Sequence, residues 1–122
     1  MSDITYSISL NVNKDNLTSS INASGVTAAM ASDGIQSATY ALSGTPTNIS
    51  TATLTSVGMA FLRNLSSSTA TTCAVGIVSG GSMLPFAAPR PGETAILRLA
   101  SGVSYQATGT TGTRLRVDIT EG

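Results

Sequence analysis

Residue types that commonly carry catalysis or bind metals are scarce in this chain, which has one cysteine and no histidine among 122 residues. Thiolate chemistry at Cys73 would need a nearby base or cation that lowers the pKa of the thiol. Histidine cannot supply that base here, and Cys73 lies on the apolar side of an alternating segment. We therefore interpret Cys73 as a small buried side chain rather than a nucleophile.

The acidic and amide side chains offer two further kinds of site. Asn11, Asn13 and Asp15 have the alternate spacing of calcium ligands, but neither the glycine nor the bidentate glutamate of a calcium loop follows them. A glycosidase needs paired carboxylates and also aromatic walls for the sugar, and the chain has three Tyr, two Phe and no Trp. We predict a solvated turn at 13–16 after the first strand, with calcium binding as the alternative, and no enzymatic activity, cofactor or metal.

Charged residues are few and balanced, with six Lys and Arg against six Asp and Glu. Nucleic-acid binding and attachment to an anionic membrane both require a clustered basic surface, so we expect neither partner. Four of the six cations fall in the last third of the chain, at Arg90, Arg98, Arg114 and Arg116. They keep strand faces soluble in one interpretation, and in the other they pair with acidic groups of a neighbouring subunit, a role that favours arginine.

The elements that must position these residues are strands. Strict alternation of apolar and polar residues is clearest in 4–12 and 114–120. The other predicted strands are 17–30, 38–42, 49–65 with a bend near Gly58, 73–77, 95–99 and 103–107, and 83–86 is a short segment after a glycine turn. Pro89–Glu93 predicts a connection, because two prolines remove backbone donors from any ladder.

About eight short strands with turn signals every ten residues or so indicate an all-β protein, a single antiparallel β-sandwich or barrel in one domain over 1–122. The hydrophobic content of 41% is ordinary for a folded domain, although 18 Ser and 18 Thr make the chain unusually rich in hydroxyl groups. The start at Met1–Ile4 has no basic or apolar leader, and we expect synthesis in a cytosol.

Five segments occur together in this order: FLRNL at 61–65, VGI at 75–77, LPF at 84–86, PGETAILRL at 91–99 and RLRVDI at 114–119. With the composition, they resemble the small all-β structural proteins of tailed bacteriophages. The resemblance implies a jelly-roll-like sandwich and a virion component. It further implies a decoration or cement protein on the capsid surface, bound to the major capsid protein and self-associating, often as a trimer.

On this hypothesis six residues are the predicted contacts with the capsid or with other copies: Arg63, Arg90, Arg98, Arg114, Arg116 and Asp3, the last as the end of a shell-gripping arm. The alternative function is a tail or head-fibre component that recognises a host-surface glycan. Both functions require the same stable sandwich, so they differ only in which exposed surface meets which partner. A small hydrolase is a third class, for which the sequence offers no residues.

Overall fold

The computed structural model describes residues 3–30, 33–68 and 72–122, and the protein is all-β with antiparallel sheets, as predicted. Its strands are β1 (Ile4–Lys14), β2 (Leu17–Ala28), β3 (Ile35–Ala41), β4 (Thr47–Ile49), β5 (Val57–Asn64), β6 (Cys73–Ser79), β7 (Ser82–Ala87), β8 (Thr94–Arg98), β9 (Tyr105–Gly109) and β10 (Arg114–Glu121). Across these described ranges, the structure contains no helix with the length and apolar character that crossing a membrane requires.

The chain divides into two compact units, Met1–Ala31 and Ser32–Gly122. The first unit is a hairpin in which β1 pairs with β2 as a two-stranded sheet. Asp15 takes a φ of 53° in the turn, a left-handed conformation that Asp tolerates better than most residues. Gly25 has a φ of 65° close to the point where the register shifts, as a β-bulge with glycine at this position does.

The hairpin has two chemically different faces. Directly opposed residues share a face, so the register places Leu10 with Ile21 and Ile8 with Ala23. We call this surface the apolar hairpin face; its apolar members are Ile4, Tyr6, Ile8, Leu10, Val12, Leu17, Ile21, Ala23, Val26 and Ala28, and Lys14 and Ser19 share the same side. The opposite face carries Ser, Thr and Asn. The alternation in 4–12 correctly predicts the strand β1 and its two faces. Such alternation is typical of a half-buried strand, but this apolar face is largely exposed at its centre, since Leu10 is 55% exposed and Ile21 61%.

The second unit consists of two four-stranded sheets, one in the order β3-β10-β5-β8 and the other in the order β4-β9-β6-β7. Four of the antiparallel pairings are nested, because β6 pairs with β7, β5 with β8, β4 with β9 and β3 with β10. Successive pairs of this nest alternate between the two sheets. The sequence analysis assigns one sandwich to 1–122, and in the structure all eight strands of these sheets come from 35–121.

A single hydrophobic cluster joins the two sheets into a sandwich-like unit. Leu115, Val117 and Ile119 enter it from one sheet, and Val75 and Ala107 enter it from the other. All five side chains are at most 2% exposed. Cys73 is also buried in this cluster, which confirms its predicted position in the core.

The prediction of one strand over 49–65 with a bend near Gly58 is wrong for residues 50–56, which separate β4 from β5. The chain leaves one sheet at the end of β4 and enters the other at the start of β5, so residues 50–56 form a crossing segment with turns. The carboxylate of Glu121 holds this segment, because its two oxygens accept hydrogen bonds from Thr55 N at 2.8 Å and Ser56 N at 3.2 Å. Alternating threonines favour strand geometry, but here the change of sheet overrides that preference.

The connection predicted at Pro89–Glu93 is confirmed, and a buried amide ties it to β5. Asn64 is 0% exposed, its Nδ2 donates to Pro89 O at 3.0 Å, and its Oδ1 accepts from Ser66 N at 3.0 Å. Backbone bonds add to this link, from Asn64 N to Glu93 O and from Gly92 N to Asn64 O. Asn64 therefore fixes where the chain enters β8.

Candidate functional site

Four of the five predicted arginines lie on one surface, the outer side of the sheet β3-β10-β5-β8. Leu115, Val117 and Ile119 of β10 point into the core, so the residues between them point outward. The same alternation applies to β5 and β8. We call this surface the arginine face; it includes Arg63, Arg98, Arg114, Arg116, Asp118, Phe61 and Ile96.

The strand register brings two arginines side by side, because Arg116 of β10 lies directly opposite Arg63 of β5. Like charges directly opposite each other destabilise a sheet, so another feature must hold Arg116 in place. Its Nε lies 2.8 Å from Asp118 Oδ2, and its guanidinium carbon lies 6.0 Å from the centre of the Phe61 ring. Ion pairing and a cation–π contact therefore orient this side chain.

The other three arginines of the face are exposed and lack such a partner. Within the described residues, Arg116–Asp118 is the one ion pair closer than 4.0 Å, so Arg63, Arg98 and Arg114 have no carboxylate in reach. Arginine presents five donors in a planar fork that matches a carboxylate in bidentate fashion. The face therefore offers three guanidinium groups to acidic side chains of another molecule.

Apolar side chains complete the arginine face, and the sequence analysis does not identify them. Phe61 of β5 lies opposite Ile96 of β8, and both are half buried. Ala60 and Leu62 of β5 occupy the core, so Phe61 between them points outward. This combination of arginine with aromatic and aliphatic groups is typical of the central part of a protein–protein interface.

Two predicted contact residues lie elsewhere. Arg90 is in the connection between β7 and β8, where its backbone N–H donates to Glu93 Oε1 at 2.8 Å. Asp3 belongs to the first unit, and its Oδ2 accepts from Met30 N at 2.9 Å. The rest of the predicted shell-gripping arm, Met1 and Ser2, lies outside the described residues. The structure therefore groups four of the six predicted residues.

The residues considered for chemistry do not form a cluster. Burial raises the pKa of the Cys73 thiol, which favours the protonated and unreactive form. Of the calcium candidates, Asn11 Oδ1 accepts a hydrogen bond from Ser20 Oγ at 2.8 Å, and Asp15 lies in the β1–β2 turn. The described part of the chain contains no group of three or more Cys, Asp or Glu side chains placed to hold a metal ion.

The geometry thus describes a sheet face that carries exposed arginines beside half-buried apolar side chains. Comparison of the chain with known proteins finds no matching family model, no matching curated protein and no matching solved structure.

Proposed function

We propose that this chain is a non-enzymatic structural protein of a bacteriophage virion, a decoration protein that binds the outer surface of the capsid and stabilises the shell. The observation that carries the proposal is the arginine face, with three exposed arginines that have no acidic partner on a sheet held by a packed core. A rigid sheet positions such groups without the entropy cost of ordering a loop on binding.

The order of the strands supports the jelly-roll part of this proposal. In a jelly roll, eight strands form two packed sheets in two Greek keys, an architecture found in viral capsid domains and in lectins. The nested pairing of β3 with β10, β4 with β9, β5 with β8 and β6 with β7, alternating between two sheets, agrees with that description. Because one fold serves many functions, this agreement supports the function only by analogy.

The proposed partner is an acidic surface of the major capsid protein. Arg63, Arg98 and Arg114 would each pair with a carboxylate there, while Phe61 and Ile96 would exclude water from the centre of the contact. A decoration protein that contacts two shell subunits binds only the assembled shell. It therefore shifts the equilibrium toward that state by mass action. On this proposal the chain is made in the host cytoplasm, self-associates, and resides on the capsid surface.

The first experiment is to count copies of the chain in purified virus particles by quantitative peptide mass spectrometry against the major shell protein. Hundreds of copies in a simple ratio to the shell are expected. A handful of copies would instead assign the chain to the tail or a head fibre. A glycan array would then test recognition of host-surface sugars. Absence from the particles would refute the virion proposal.

The second experiment reverses charges on the arginine face and measures binding to capsids that lack the chain. Arg114→Glu and Arg116→Glu should each weaken binding about tenfold and reduce its dependence on salt. Arg90→Glu is the matched control, because Arg90 is also exposed but lies in the β7–β8 connection. If all three variants bind capsids as tightly as the wild type does, the arginine face is not the contact surface.

A further inference from the structure

The apolar hairpin face of the first unit leaves several large apolar side chains exposed. Ile8 is 42% exposed, Leu10 55%, Leu17 60% and Ile21 61%. The surface carries no carboxylate, and its single charge is Lys14 at the turn end. Contiguous apolar surface of this kind on a folded protein indicates a contact with another molecule.

The strand edges of the hairpin also need a partner. Within the described structure, β1 pairs only with β2, so the outer edge of each strand has unpaired backbone donors and acceptors. An isolated two-stranded hairpin is marginally stable in water, and exposed edges pair readily with other strands. A satisfactory partner must therefore cover the apolar face and extend the sheet at both edges.

The dimensions of the hairpin favour more than two copies. Its strands of 11 and 12 residues make the face about 35 Å long and about 10 Å wide, hence about 350 Å² per copy. Two faces packed together would bury about 700 Å², which is less than a stable interface requires. A ring of three copies buries the same area of face per copy, about 350 Å², but it also pairs the strand edges, which two hairpins packed face to face leave open.

We infer that the hairpins of three copies of this chain close around a threefold axis into a six-stranded antiparallel barrel. In such a ring all copies of β1 point one way and all copies of β2 point the other, so β2 of one copy lies antiparallel to β1 of the next. Closure pairs both edges, turns the apolar hairpin face inward, and leaves the Ser, Thr and Asn face in water. This inference rests on the proposed self-association and names its surface, but it does not depend on capsid binding.

The side chains and charges of the hairpin fit this arrangement. A narrow barrel accommodates large residues when small ones lie beside them, and the register pairs Ile8 with Ala23 and Val12 with Ser19. All three turns lie at the same end of the barrel. Lys14 lies at the turn end of the face that turns inward, so its ammonium group must extend out of the barrel mouth to reach water, where Asp15 in the turn of the next copy can pair with it.

Light scattering coupled to size-exclusion chromatography tests the number of copies. The molar mass of the full chain measured by light scattering should be three times that of one copy, which is 12.3 kDa. Leu10→Lys places a charge on the apolar hairpin face and should give a monomer, whereas Ser9→Lys, its neighbour on the polar face, should remain a trimer. Circular dichroism checks that both variants keep their strands. A monomeric or dimeric wild type, or the same mass for both variants, would overturn the inference.

Zero-length crosslinking tests the direction of the hairpins. Lys14 is the only lysine, so a carbodiimide that joins amines to carboxylates reports on its surroundings. In a mixture of ¹⁴N- and ¹⁵N-labelled chains, the expected link between copies joins Lys14 to Asp15. A link from Lys14 to Asp3 would place neighbouring hairpins in opposite directions and contradict the barrel. Trimers that do not bind capsids would leave this inference intact and refute only the proposed function. Monomers that bind capsids would refute this inference and leave the proposed function intact.

Discussion

Replacement of Asn64 by alanine tests whether one buried amide controls the entry of the chain into β8. The Asn64 side chain makes two hydrogen bonds, one to Pro89 O and one from Ser66 N, both of 3.0 Å, and it is completely buried. Alanine removes both bonds and leaves a small cavity. It also leaves the Pro89 carbonyl without the hydrogen bond that Asn64 Nδ2 donates to it in the wild type.

The expected loss of stability follows from these contacts. Each hydrogen bond contributes about 1 kcal/mol net, and desolvation of a buried polar group that loses its partner adds about 1 kcal/mol or more. The free energy of unfolding should therefore fall by about 3 kcal/mol, a large fraction of the 5–15 kcal/mol typical of one domain. For a chain of this size, the melting temperature should fall by about 10 °C.

Thermal unfolding followed by circular dichroism provides the assay, with Asn48→Ala as the matched control. Asn48 is exposed, and its Oδ1 accepts one hydrogen bond, from Gln106 Nε2 at 2.8 Å. Its replacement should cost about 0.5 kcal/mol or less, because water replaces the lost partner. If Asn64→Ala melts within a degree or two of Asn48→Ala, the reasoning that places Asn64 at the centre of this connection is refuted.

Two further perturbations address the core of the second unit. In Gly76→Ala the new Cβ would overlap the backbone carbonyl of Leu84 on the paired strand, so the free energy of unfolding measured in urea should fall by about 2 kcal/mol. Gly44→Ala is the control, because Gly44 has open space around it and its replacement should change little. Equal urea midpoints for the two variants would contradict the predicted clash. Burial raises the pKa of Cys73 and of Tyr105, so the folded protein keeps these protons to higher pH than the unfolded chain. The contribution of these two groups to the free energy of unfolding should therefore be fully present below about pH 8.5 and decrease as the pH rises above it. The decrease should be smaller in Cys73→Ala. A melting temperature that stays constant from pH 7 to about 10.5 would contradict this expectation.

The sequence predicts strands well where alternation is strict. Residues 4–12 and 114–120 correspond to β1 and β10, and the connection at Pro89–Glu93 appears where two prolines prevent a ladder. Between residues 57 and 62 nearly every position is apolar, so alternation does not indicate which side faces the core. The charge of Arg63 indicates it, since Arg63 points outward and Leu62 must then point inward.

The candidate surfaces depend on partners that are distant in sequence. Alternation predicts that Arg114 and Arg116 share a face, but only the register of β10 with β5 places Arg116 beside Arg63 and Phe61. A hydrophobic pattern likewise shows that the residues of a strand share one face, without showing whether the same chain covers it. For this reason the apolar hairpin face is predicted from the sequence, while its exposure becomes visible only in the structure.

The nested pairing of the second unit also determines how much conformational entropy each step of folding loses when it closes a loop. The innermost hairpin, β6 with β7, closes through Gly80 and Gly81 and needs only a short loop. Once it has formed, β5 and β8 are already close together, and each outer pair then closes a loop shortened by the pairs inside it. We therefore expect folding to proceed outward from this turn, with β3 joining β10 last. A substitution that weakens the β6–β7 turn should slow folding, whereas one in β3 should mainly speed unfolding.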